Sequence, residues 1–112
     1  KNIFLKDLTI AFASGDVEFI LDKVVDDIRW NRVGERLLLG KEDFAEALEQ
    51  LKADPVVELA IHHAAAHGKA GAVNGEAKLK SGKRRAFCDV YEFGSAKGNS
   101  VKEITSYVIE VE

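Results

Sequence analysis

The chain has 112 residues, 46% hydrophobic and 31% charged, with one proline and nine glycines. That composition fits one globular domain over 1–112 and excludes a disordered tail or a collagen-like repeat. Sixteen basic against nineteen acidic side chains leave a formal net charge of −3, which disfavours general nucleic-acid binding; the apolar runs are too short to span a bilayer; and a single cysteine, Cys88, excludes an internal disulfide and fits a reducing, cytoplasmic setting.

Residues 2–14 place Phe4, Leu5, Leu8, Ala11 and Phe12 at helical spacing, which predicts a first amphipathic helix. Ser14-Gly15-Asp16 interrupts it, and Asp16 is placed to cap a second helix running to about Asp26. Ile28 to Asn31 reads as a short strand, Arg32-Val33-Gly34 as a turn, and Leu37 to Leu39 as a brief extended run. A third helix over about 41–52 buries Phe44, Leu48 and Leu51, with Pro55 safely past its end.

From Val56 the pattern changes to strands: Val56–Ala66, Lys69–Leu79, Arg84–Phe93 and Val101–Val111. His67-Gly68 and Ser81-Gly82 lie between the first three as two-residue hairpin signals, and Gly94 to Asn99 forms a longer polar loop. Strands joined this tightly are antiparallel. The expected class is therefore α+β, with three N-terminal helices packed on a curved antiparallel sheet.

The ordered motifs Ala13-Ser14-Gly15-Asp16, Asp26-Asp27, Trp30, Val33-Gly34, Gly40-Lys41 and Phe87-Cys88-Asp89-Val90-Tyr91-Glu92-Phe93 resemble those of the nuclear transport factor 2-like superfamily, which includes ketosteroid isomerases and polyketide cyclases. The resemblance covers nearly the whole chain. It implies a cone-shaped domain around a mostly apolar pocket, and a homodimer through the outer sheet face. It also matches Asp89 to an isomerase aspartate held neutral in an apolar site to donate a hydrogen bond. The rest of that machinery is missing: residues 1–15 contain no tyrosine, and Ile28 to Arg32 contains no carboxylate to serve as base.

If both hairpins turn on two residues, Asn74 falls opposite Asp89 and His63 opposite Ala72. His63, Asn74, Asp89 and Tyr91 then share one sheet face, because side chains alternate along a strand. Val73, Ala77, Leu79, Ala86, Cys88 and Val90 occupy the other, as an apolar surface for a second subunit. The expected site is an internal cavity lined by Trp30, His63, Asn74, Asp89 and Tyr91. A small apolar or amphipathic molecule would bind there, with no cofactor. Trp30, Asn74 and Tyr91 would contact the ligand; in the alternative, a lyase, isomerase or hydrolase, His63 and Asp89 would move the proton.

A metal at His62, His63 and His67 is disfavoured, since adjacent strand residues point to opposite faces. Cys88, alternate to Asp89, reads as a small buried hydrophobe. Lys78, Lys80, Lys83, Arg84 and Arg85 read as a solvated basic hairpin tip, with a contact to an anionic ligand or a partner as the alternative.

Overall fold

A computed structural model describes residues 2–95 and 99–112, so the expected loop at 94–99 lies partly outside the described residues. Three helices and six strands follow in the order α1 (Asn2–Ser14), α2 (Val17–Asp22), β1 (Val24–Arg32), β2 (Arg36–Leu39), α3 (Lys41–Leu51), β3 (Val56–His67), β4 (Ala70–Leu79), β5 (Arg84–Phe93) and β6 (Val101–Val111). The α+β class expected from the sequence is present: the helices cover one face of a single sheet ordered β2-β1-β6-β5-β4-β3. Among the described residues, no helix is long and apolar enough to cross a membrane.

The sheet is larger than the four-stranded antiparallel meander expected. The second helix stops at Asp22, and Val24 and Val25 begin a strand instead of finishing that helix. Their branched side chains favour extended backbone, and a tertiary partner is available: β1 pairs with β6 in parallel, Val24 beside Val101. The Val101 N–H donates to the Lys23 carbonyl at 2.9 Å. The Asp16 carboxylate caps α2 as expected, accepting from the Phe19 N–H at 3.2 Å.

Both hairpins differ from the two-residue turns assumed at His67-Gly68 and Ser81-Gly82. At the first, His67 pairs with Ala70, so the two loop residues are Gly68 and Lys69. At the second, Leu79 and Lys83 close a three-residue loop, the Leu79 N–H donating to the Lys83 carbonyl at 2.8 Å. Gly82 sits in that loop at φ 98°, the left-handed position that such loops reserve for glycine. One extra loop residue moves β4 against β5 by one position. Val73, not Asn74, stands opposite Asp89, and Asn74 faces Cys88.

The inner face of β4 is cut away. Gly71 and Gly75 flank Val73 there; a Cβ on Gly71 would lie 2.7 Å from Leu5 Cδ1, and one on Gly75 would overlap the Ala60 carbonyl. The register of β3 slips between Ile61 and His63 beside this point, a bulge that bends the strand. These devices let the sheet curl and let α1 sit close to it. The core beneath α1 and α3 contains Leu5, Leu8, Phe44, Val73, Tyr91 and Phe93.

Candidate functional site

A cavity of about 390 Å³ opens between the helices and the curled sheet face. Its walls are Phe12 from α1, Trp30 from β1, Leu59 and Ala77 from β3 and β4, and Phe87 and Val108 from β5 and β6. Exposed rim residues include Val33 and Glu35 after β1 and Lys52, Ala53 and Pro55 after α3. The hairpin tip is tied to that rim. Asp54 accepts the Ser81 N–H at 3.0 Å and the Ser81 hydroxyl at 2.6 Å. These two bonds hold its carboxyl below the usual value.

Asp89 lies inside. Strand β5 alternates Arg85, Phe87, Asp89, Tyr91 and Phe93 toward the helices, and the β5–β6 register sets Ser106 beside Asp89. The Trp30 Nε1–H donates to the buried Ser106 Oγ at 2.9 Å, which leaves the serine proton for Asp89. Asp89 is half-buried and lines the cavity, and its carboxyl is largely enclosed by protein. Burial raises its pKa to about 6, against a smaller downward pull from the Ser106 hydroxyl. The cause is desolvation, which disfavours the charged form.

Tyr91 is fully buried behind this site and does not line the cavity. Its hydroxyl has no hydrogen-bond partner among the described residues. The Thr9 hydroxyl is near enough to favour the phenolate, although it is itself spent on the Leu5 carbonyl at 2.9 Å. Burial first, and then the Asp89 charge, push the Tyr91 phenol well above its ordinary value.

Of the five residues expected around one cavity, Trp30 and Asp89 line it and Tyr91 stands behind it. His63 and Asn74 do not belong to it. They pair across β3 and β4 on the outer face, His63 Nδ1 lying 3.0 Å from Asn74 Oδ1. The cause is the one-residue hairpin shift, which turns Asn74 and its neighbours away from Asp89. The expected outer apolar set divides for the same reason: Val73, Ala77 and Leu79 face inward, and Ala86, Cys88 and Val90 outward. The bulge also overturns the geometric argument about the histidines. His62 Nε2 reaches Glu76 at 3.1 Å, so His62 and His63 reach the same face. No group of three or more metal-ligating side chains occurs among the described residues.

Among the cavity residues that the sequence reading did not place there are Ser106, Arg32 and Arg85. Ser106 carries no signal until β6 is registered against β5. Arg32 read as a turn residue; its guanidinium lies 5.1 Å from the Trp30 ring centroid and pairs with Glu35 at 3.3 Å. Arg85 read as part of a solvated tip, yet its inward alternation with Asp89 was visible in the sequence.

Comparisons with known proteins agree with this architecture. A family model described as the SnoaL-like domain matches residues 6–102. The chain belongs to that family. An NTF2-like protein of unknown function from Cytophaga hutchinsonii is similar over 96% of this chain and 98% of its own, at 23% identity and TM-score 0.74. An M. tuberculosis LEH-like epoxide hydrolase is similar over 96% of this chain and 81% of its own, at 19% identity and TM-score 0.79. The epoxide hydrolase/cyclase-like enzyme SalBIII, of pyran ring formation in salinomycin, matches over 95% and 88% at 16% identity and TM-score 0.76. These likenesses establish the fold. No curated protein matches.

Proposed function

We propose that this SnoaL-like domain binds a small amphipathic molecule in its cone, with Asp89 meeting a ligand oxygen at the inner end. The observation that carries this reading is a carboxyl group set in an otherwise largely apolar cavity and backed by the Trp30–Ser106 hydrogen bond. An apolar cavity with a few convergent polar groups is the usual form of a small-molecule site. Protonated, Asp89 donates to a carbonyl, hydroxyl or ether oxygen; ionised, it accepts from a hydroxyl.

Proton-transfer catalysis is the second reading, favoured by an Asp89 pKa of about 6, close to the range a general acid or base needs. Two structural neighbours are described as epoxide hydrolase-like. Here Asp89 would act without His63, which lies on the opposite sheet face.

The outer face supports pairing of two copies of the chain. Val90, Tyr107 and Ile109 are exposed there on adjacent strands. Sedimentation is expected to give a dimer at tens of micromolar; a monomer would contradict it.

Trp30 is the single tryptophan and forms part of the cavity wall, so its emission reports occupancy. Titration with the uncharged probes decan-2-one and methyl decanoate is expected to give a saturable change. Ala77→Phe, which projects a ring into the cavity, is expected to weaken it. No saturable response to either probe would refute the ligand-binding reading.

A further inference from the structure

The cavity's charges are not equally engaged. Arg32 is paired with Glu35 at 3.3 Å, and Lys52 with Glu49 at 3.2 Å. Asp54 is held by Ser81. Arg85 also lines the cavity, but no ion pair involves it among the described residues. Its register neighbour on β6 is Glu110, whose carboxylate lies 3.9 Å from Lys83 Nζ. On β4 its neighbour is Ala77, which offers no charge. Arg85 is half-buried, and the nearby carboxylate its charge acts on, Asp54, is already engaged by Ser81. The planar guanidinium is therefore left for an anion and suits a carboxylate.

The position of Arg85 adds geometry to charge. Arg85 and Asp89 are four residues apart on one strand and one face, so their Cα atoms are about 13 Å apart. Between them on that face stands Phe87, with Val108 beside it on β6. The order along the cavity is therefore cation, apolar wall, carboxyl. Arg85 lies toward the hairpin end, near the Asp54 rim that its charge influences; Asp89 lies toward the buried Tyr91.

We propose that the ligand is an amphipathic monocarboxylate, its carboxylate on Arg85, its apolar body along Phe87 and Val108, and an oxygen function reaching Asp89. The proposal rests on the reading of the cavity as a small-molecule site and adds the ligand's charge and direction of entry. A carboxylate at Asp89 itself would face a second carboxyl; at Arg85 it meets the cation and leaves the inner end for a neutral group.

The test compares decanoate with methyl decanoate, which differ in charge at one end, by Trp30 emission at fixed ionic strength. Decanoate is expected to bind about tenfold or more tightly than the ester, the scale of a charge-assisted hydrogen bond. Arg85→Gln is expected to bring decanoate down to the affinity of the ester while still binding the ester, which also shows that the variant folds. Arg85→Lys keeps the charge and is expected to retain part of the preference. Equal binding of the two probes by the unmodified protein, or a preference that survives Arg85→Gln, would overturn the proposal and leave the ligand site standing. Failure of both probes to bind would remove the site and the proposal together.

Discussion

The two faces of the β4–β5 hairpin carry polar groups of opposite character. Outside, His62 meets Glu76 and His63 meets Asn74, at 3.1 and 3.0 Å, in exposed positions. Solvent completes whatever these pairs lack, so they are surface contacts of small worth. Inside, Asp89 is drawn out of water into the cavity and Tyr91 keeps an unsatisfied hydroxyl in the core. Groups held at a cost to folding need another reason to be present, and stability commonly yields to function at such sites. Adjacent residues of one strand thus separate a face that tolerates change from a face that stores it.

The largest expected effect attacks the curl that creates the inner face. Gly75→Val places side-chain carbons against the Ala60 backbone, which cannot move aside as a flexible side chain would. A loss of about 3 kcal/mol or more in chemical denaturation is expected. A tolerated valine would mean that the sheet does not need close approach at this point.

Asp89→Asn sharpens the comparison through pH. Asp89 titrates at about 6 in the folded chain and near 3.8 when unfolded. Below about pH 4 both states hold the proton and the carboxyl costs nothing. As pH rises the unfolded chain releases its proton first, so stability falls. Above about 6 both are ionised and the folded state carries the whole penalty, up to about 3 kcal/mol. The asparagine variant is therefore expected to be more stable than the unmodified protein at pH 8, with the gap closing by pH 4. A gap independent of pH would show that the carboxyl is not desolvated.

Tyr91→Phe removes a buried hydroxyl that has no hydrogen-bond partner among the described residues. Stability is expected to stay level or rise by about 1–2 kcal/mol, the cost of leaving such a group unsatisfied. A marked loss would reveal a hydrogen bond made in solution. The smallest effects belong outside: His63→Ala and Asn74→Ala are each expected to stay within about 0.5 kcal/mol and to leave Trp30-monitored probe binding unchanged. A tenfold loss of binding in either would return the outer pair to the site.

The same hairpin explains what could be read from the sequence. Helical periodicity in residues 2–14 and 41–51 and the long strands after Val56 were legible, because hydrophobic spacing records which face is buried. Asp89 was legible as a carboxyl within the largely apolar run Phe87 to Tyr91, and Trp30 as the single tryptophan. Ser81-Gly82 marked a turn but not its length; two- and three-residue loops both use glycine, and the difference changes the β5 partner of Asn74 from Asp89 to Cys88. The β3 bulge at His62 left no motif within β3 itself. Val24 and Val25 fit helical spacing locally, and only their parallel pairing with β6 decided for a strand. Ser106 needed that long-range register as well.

The account turns on whether Asp89 is a desolvated carboxyl facing the cavity. Carboxyl-detected NMR titration of the unliganded protein, with Asp89 assigned by comparison with Asp89→Asn, measures this directly. The expected midpoint is about 6. A midpoint in the ordinary aspartate range, near 3.8, would mean a well-solvated or ion-paired carboxylate and would contradict the site described.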